Sequence, residues 1–121
     1  MRCVLILICL FALVACGAAQ APATPDPTAG GKRLYTMWCI ACHAVQADAP
    51  GGAGPNLAGV ATRAAANPDG LSAAAWLRRE LVNPNAVLTQ GYRPGFMPTS
   101  YGQTLRPDQL DALVAYMLTL Q

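Results

Sequence analysis

The sequence predicts a small all-α domain of three main helices and two long loops. Near the C-terminus, apolar residues recur at i, i+3, i+4, i+7 and i+8, namely Leu110, Leu113, Val114, Met117 and Leu118. No segment alternates apolar and polar residues in the way of a half-buried strand. Two stretches rich in glycine and proline separate the helical segments. At 121 residues the chain is long enough for one small domain.

The N-terminus has the pattern of a lipoprotein-type signal peptide, predicted here over residues 1–15. Met1-Arg2 precedes a short apolar run, and a spanning helix would need about 20 residues. Leu13-Val14-Ala15-Cys16 resembles the lipobox of bacterial lipoproteins, in which cleavage before the cysteine leaves it acylated. The resemblance implies that Cys16 is lipidated. The alternative is a soluble secreted protein that is cleaved after Ala19 or Ala21.

Residues 16–27 are expected to form a tether between this anchor and the domain, which is predicted over residues 28–121. The segment is rich in alanine and proline and has almost no large apolar side chain to bury. We therefore expect an exported protein that is anchored by lipid on the periplasmic or extracytoplasmic face of a membrane.

Three helices are predicted from capping residues and periodicity. The first begins near Asp26-Pro27-Thr28, because Asp or Thr can cap a helix and Pro suits its first position. The second runs from about Leu71 to Val82, where Asn83-Pro84 ends it. The third begins at Pro107 and runs almost to Gln121. Residues 44–60 and 85–104 are expected to be loops.

The run Cys39-Ile40-Ala41-Cys42-His43 is the pattern for covalent attachment of a c-type haem. Two thiols at this spacing can add to the two vinyl groups of one porphyrin. The adjacent imidazole of His43 can then bind the iron. A tethered haem would also give the two long loops an apolar body to enclose, and a domain this small needs such a staple.

Two other chemistries could use a pair of cysteines at this spacing. Structural zinc needs four ligands, and the mature chain has no second Cys/His pair. A lipoprotein thiol-disulfide oxidoreductase of the thioredoxin-like type would use Cys39 and Cys42 as a redox dithiol. That chemistry needs a helix N-terminus after a strand, and residues 30–38 have no strand pattern.

The five cysteines are all accounted for by export, lipidation and haem attachment. Cys3 and Cys9 lie in the predicted signal, Cys16 takes lipid, and Cys39 and Cys42 take haem. None remains for a disulfide, which avoids mispairing in an oxidising compartment.

Met97 is the predicted second axial ligand, because His43 is the only histidine. Met1 is lost with the signal. Met37 is too close to Cys39 on the same helix to reach the opposite face of the ring, and Met117 belongs to the apolar stripe. A His/Met pair favours electron transfer and leaves no open iron position, which argues against a haem enzyme such as a peroxidase.

These features together resemble the class I cytochromes c over residues 28–121. Gly54-Pro55-Asn56-Leu57-Ala58-Gly59 is similar to that family's run after the haem motif. The resemblance implies that the Pro55 carbonyl accepts a hydrogen bond from the ligand imidazole. It also implies that Gly31, Tyr35 and Tyr116 lie where the first and last helices cross, and that Trp76 borders a haem propionate. Arg106 departs from the family's usual Ser or Thr cap.

A narrower resemblance concerns the loop Gly91-Tyr92-Arg93-Pro94-Gly95-Phe96-Met97-Pro98, together with Asn83-Pro84-Asn85. It is similar to cytochrome domains of respiratory complexes, such as the monohaem subunit of alternative complex III and the haem domain fused to subunit II of some haem-copper oxidases. By this resemblance Tyr92 is expected to contact the cofactor. The partners would be subunits of a membrane electron-transfer complex, with a redox donor and a redox acceptor protein.

The charge of the chain does not indicate binding to nucleic acid. The formal net charge is +2, and removal of Arg2 with the signal leaves about +1. Lys32-Arg33 and Arg78-Arg79 are isolated basic pairs, typical of solvated helix faces. The sequence therefore predicts a lipid-anchored electron carrier with one covalent haem c and no catalytic residues.

Overall fold

A computed structural model describes residues 26–121 of the chain. This part contains five helices, α1 (Pro27–Trp38), α2 (Val60–Ala65), α3 (Ala73–Val82), α4 (Tyr101–Thr104) and α5 (Pro107–Met117), and no strand. The predicted all-α class, with three main helices and two long loops, is confirmed. The predicted signal peptide, Cys16 and residues 17–25 of the tether lie outside the described residues. No helix between residues 26 and 121 has the length and apolarity needed to cross a membrane.

The helix boundaries differ from the prediction in three places. Helix α2 was not predicted, because its buried side is made of Val60 and two alanines and gives little periodicity. A single helical turn, α4, interrupts the second predicted loop. Helix α5 ends at Met117 rather than near Gln121, since the chain tightens there and the Thr119 amide bonds to Tyr116 O at 2.9 Å.

Helix α1 starts where its capping residues predict. The Asp26 carboxylate accepts the Thr28 amide at 2.9 Å, and Pro27 occupies the first turn. The hydrogen bonds from Thr28 lower the pKa of the Asp26 carboxyl, so the cap stays ionised. The helix ends at Trp38, directly before Cys39.

Helices α1 and α5 pack closely, and this crossing fixes where α1 delivers Cys39. A Cβ atom on Gly31 would overlap the carbonyl oxygen of Ala112 and lie 2.6 Å from Cβ of Tyr116. One turn further along α1, the rings of Tyr35 and Tyr116 lie 5.5 Å apart at an angle of 44°. Only glycine at position 31 therefore permits this approach.

The core fills the space between α1, α3 and α5. Leu77 of α3 and Ala64 of α2 have no exposed surface, and both pack with the apolar stripe of α5. The two long loops lie on the remaining side, where they enclose a cavity.

Candidate functional site

A cavity of about 630 Å³ lies between the helices and the two long loops. Its volume falls in the range of small-molecule and cofactor sites, which is about 300–1,000 Å³. Every described residue that the sequence analysis assigned to the cofactor lines this cavity: Cys39, Cys42, His43, Pro55, Trp76, Tyr92 and Met97. Most of the other lining side chains are apolar, among them Leu57, Leu77 and Leu81.

The pentapeptide after α1 forms a helix-like turn that gathers its reactive side chains. The His43 amide donates to Cys39 O at 2.9 Å, and the Cys42 amide donates to the same oxygen at 3.0 Å. Residues at i, i+3 and i+4 of such a turn project to one side. Cys39, Cys42 and His43 therefore face the cavity together.

One hydrogen bond determines which nitrogen of His43 is available. Nδ1 lies 2.8 Å from the carbonyl oxygen of Pro55. A carbonyl oxygen can only accept, so Nδ1 carries the proton of the neutral ring. Nε2 is then left with its lone pair, which is the form of imidazole that binds a metal ion.

Gly54 packs directly against the imidazole of His43. It is buried, and a Cβ atom added there would overlap Cε1 of His43 and lie 2.7 Å from Nε2. The Gly54 amide donates to Cys42 O at 3.0 Å, which ties the loop to the pentapeptide. Any larger residue at position 54 would push the ring out of this orientation.

Asn56 and Arg63 hold the backbone around the Pro55 carbonyl in place, a role that was not predicted for either residue. Asn56 donates to Gln46 O at 2.7 Å and to Ala49 O at 2.8 Å. The Arg63 guanidinium donates to Ala58 O at 2.6 Å and to Asn56 O at 2.9 Å. Asn56 stands in the run that follows the haem motif, but Arg63 has no local signal, because its partners come within reach only once α2 is in place.

Tyr35 connects α1 to the backbone of His43. Its hydroxyl donates to His43 O at 2.6 Å. Burial, with Tyr116 close by, raises the pKa of the Tyr35 phenol, so the hydroxyl keeps the proton that it donates. The family resemblance implied that Tyr35 lies at the helix crossing, but it did not predict this hydrogen bond.

The environment of Cys39 is opposite to that of a reactive dithiol. Burial, with the neighbouring Cys42 as a second cause, raises the pKa of the Cys39 thiol to about 11. Thiol-disulfide exchange needs a thiolate, and redox-active cysteines have a lowered pKa. Among residues 26–121 there is also no strand to precede the pair. Both observations count against a thioredoxin-like use of Cys39 and Cys42.

The three described methionines differ in their access to the cavity. Met97 lies half-buried in the second loop and lines the cavity. Met37 is 68% exposed on α1 and does not line it. Met117 is buried in the core on α5 and also reaches the cavity wall, so it is the proper control for Met97.

Trp76 and Tyr92 contribute polar atoms to this region. The indole Nε1 of Trp76 is buried and has no hydrogen-bond partner among the described residues. A buried N–H without an acceptor is costly, so its position at the cavity suits a ligand that brings a hydrogen-bond acceptor. The Tyr92 hydroxyl packs so closely on Gly51 that a Cβ atom there would overlap it, and this contact joins the two loops.

Comparison with known families gives a match over most of the chain. The family described as Cytochrome c matches residues 28–121, which is most of the chain. Among curated proteins and among solved structures, no match to this chain is found.

Proposed function

The chain belongs to the cytochrome c family of electron-transfer haem proteins, and on that premise we propose that it is a lipid-anchored carrier of single electrons with one haem c. The observation that carries this proposal is the shared cavity. It brings both thiols, the Nε2 lone pair of His43 and the thioether of Met97 to one apolar site.

The residues of the cavity fit a covalently bound haem. Cys39 and Cys42 would form the two thioether links, and His43 and Met97 would bind the iron. The unpartnered Nε1 of Trp76 suits a propionate carboxylate. When bound, the haem supplies an iron that exchanges one electron between its ferrous and ferric states.

The protein contributes orientation and exclusion of water. The Pro55 carbonyl holds the proton on Nδ1 of His43, which leaves the lone pair of Nε2 free to bind the iron. Gly54 keeps the imidazole at a fixed angle. The mostly apolar lining of the cavity would keep water from a bound haem, and a Met/His ligand pair in such surroundings would raise the reduction potential. With His43 and Met97 both bound to its iron, the haem would have no open position for a substrate, which favours electron transfer.

The anchor and the tether hold this carrier at a membrane surface. Acylation of Cys16 at more than one position gives durable binding, whereas one acyl chain binds only marginally. A dozen tether residues, if extended at about 3 Å each, would let the domain work up to about 40 Å from the lipid. The carrier then belongs on the periplasmic or extracytoplasmic face, where a single c-type haem can be attached and no spare thiol mispairs.

The surface next to Cys39 suits a protein redox partner. Met37 and Ile40 are 68% and 56% exposed, and neither lines the cavity. Helix α1 and residues 83–105 carry Lys32, Arg33 and Arg93 and no acidic residue. The exposed apolar side chains favour a partner with an apolar contact area, and the basic charge of these segments favours acidic groups on that partner.

The partner in this proposal is a membrane electron-transfer complex, of which the chain is a subunit. The lipid anchor supports it, and so does the loop at Tyr92 and Met97, which resembles cytochrome domains of respiratory complexes. Isolation from membranes in mild detergent, followed by identification of co-migrating proteins, distinguishes a subunit from a free shuttle.

The first test asks whether the two cysteines hold the haem. The wild-type chain, exported from cells that mature c-type cytochromes, should keep its haem after acid-organic extraction and show sharp reduced α and β bands. Cys39→Ala with Cys42→Ala should hold none and be largely unfolded or degraded, because the small core depends on the haem. Cys9→Ala, which changes a cysteine of the predicted signal, should leave the spectrum as it is.

Two results would contradict the proposal. A haem-free wild-type chain that reduces disulfides would favour the thiol-disulfide oxidoreductase. A well-folded, stable double variant would mean that the haem is not part of the core.

A further inference from the structure

The loop that carries Met97 is closed by a hydrogen bond between its two ends. The side-chain Oδ1 of Asn85 accepts the Gly95 amide at 3.1 Å, across ten residues. The other hydrogen bonds made by residues 84–99 are local, from Ala86 N to Asn83 O and from Tyr92 N to Thr89 O. The Asn85 bond is therefore the one that joins the start of this loop to the segment before Met97.

The backbone at Gly95 is set for this bond. Gly95 has φ +86°, in the left-handed region, and Pro94 precedes it. Proline followed by glycine with positive φ is the sequence of a type II turn. The turn aims the Gly95 amide at Asn85 and leaves Met97 two residues further along the chain.

We propose that Asn85 is a positioning residue for Met97, which acts by closing the loop so that the thioether stays at the iron. This inference rests on the proposed function, in which Met97 is the second axial ligand. Closing a flexible loop costs conformational entropy, and a bond across its base removes part of that cost before the ligand binds. Tyr92 holds the tip of the same loop against Gly51, so the base is the part that depends on Asn85.

The role requires an acceptor atom at position 85, and it predicts an effect of moderate size. Asn85 is exposed, so its bond competes with water. A net hydrogen bond of this kind changes an opening equilibrium by about threefold to tenfold. Leucine has nearly the shape of asparagine without an acceptor, whereas aspartate keeps Oδ1.

Imidazole binding to the ferric holoprotein measures the opening of the loop. Imidazole can reach the iron only in molecules whose Met97 has left, so its apparent Kd reflects the open fraction. A titration followed by the haem absorption spectrum should give about threefold to tenfold tighter apparent binding for Asn85→Leu. Asn85→Asp should stay close to wild type. Gln90→Leu is the matched control, since it removes an exposed amide of the same loop that makes no side-chain hydrogen bond.

The outcomes distinguish failure of the role of Asn85 from failure of the proposed function, in which Met97 binds the iron. Wild type should bind imidazole much more weakly than Met97→Ala. If the two bind it equally, Met97 is not the ligand and both proposals fall. If they differ but Asn85→Leu matches wild type, only the role of Asn85 is overturned. The same holds if Asn85→Asp tightens binding as much as Asn85→Leu, because the acceptor would then not matter.

Discussion

At the scale of single residues, the chemistry of the site depends on which nitrogen of His43 carries the proton. The spacing of the pentapeptide predicts an iron ligand, but it does not say which nitrogen is free. Pro55, twelve residues away, decides this, because its carbonyl can only accept from Nδ1. The hydrogen bonds of Asn56 and Arg63 keep this arrangement in place, because they fix the backbone next to the Pro55 carbonyl.

The proposed role of Met97 as the second iron ligand makes a prediction at this scale. Met97→Ala should convert a low-spin six-coordinate haem to a high-spin or water-ligated one, and the reduction potential should fall as the thioether is lost. Absorption spectra of both oxidation states and a redox titration measure the two effects. Met117→Leu should leave the ligand spectrum unchanged, since the structure places Met117 in the core stripe of α5. An unaltered spectrum in Met97→Ala, including the weak sulfur-to-iron band at the red end, would refute the assignment.

At the scale of elements, the crossing of α1 and α5 locates the haem motif. Helix α1 ends one residue before Cys39, so any shift of α1 moves the whole pentapeptide. The crossing depends on Gly31, whose missing side chain leaves room for the Ala112 carbonyl, and on the paired rings of Tyr35 and Tyr116. The hydroxyl of Tyr35 then extends the same contact to the His43 backbone.

Two neighbouring glycines of α1 provide a matched test of this crossing. Gly31→Ala should destabilise the holoprotein by about 2 kcal/mol or more, because its Cβ would overlap backbone that cannot move without separating the helices. Gly30→Ala should be neutral or stabilising by up to about 1 kcal/mol, since its Cβ would meet Ala112 at an ordinary 3.7 Å and alanine favours the helix. Denaturant unfolding followed by circular dichroism measures both. Equal midpoints for the two variants would mean that α1 and α5 do not approach as described.

At the scale of the whole molecule, the loops and the haem depend on each other. The two loops form much of the cavity wall. Apart from the single helical turn of α4, they contain no regular secondary structure. Long loops are unfavourable in a small domain unless they enclose something. A covalent haem supplies that body, which is why the cysteine variants are expected to lose the fold together with the cofactor.

Placement at the membrane gives the prediction that concerns the whole chain. Cys16→Ser should release a haem-loaded domain whose spectrum is unchanged, because the predicted tether separates the anchor from the cavity. Electron flow to a membrane partner should fall through lower effective concentration, with no change in the haem itself. Membrane fractionation, spectra and mass spectrometry of the native N-terminus are the measurements.

This prediction is wrong if the mature chain begins at Cys16 without acyl mass, or begins at Ala19 or later. If Cys16→Ser remains bound to detergent-free membranes, protein contact is the anchor. The complex-subunit proposal would then gain over a free shuttle.

Features that depend on residues close in the chain follow from the sequence by itself. The all-α class, the capped start of α1 and the start of α5 rest on local spacing and capping, which act within one or two turns of helix. The haem motif is local in the same sense, since its reactive atoms lie within five residues. Helix α2 was not predicted, because its six residues, with two buried alanines, have too little hydrophobic periodicity.

Features that require distant residues to meet appear only in the folded chain. The overlap at Gly31 needs Ala112, the loop contact of Tyr92 needs Gly51, and the unpartnered indole of Trp76 is a property of its burial. The bond from Gly95 to Asn85 likewise exists only because Pro94 and Gly95 turn the backbone back toward the start of the loop. Residue spacing determines which groups are available for haem chemistry, whereas long-range packing decides which atom is protonated, which N–H lacks a partner and how the Met97 loop is closed.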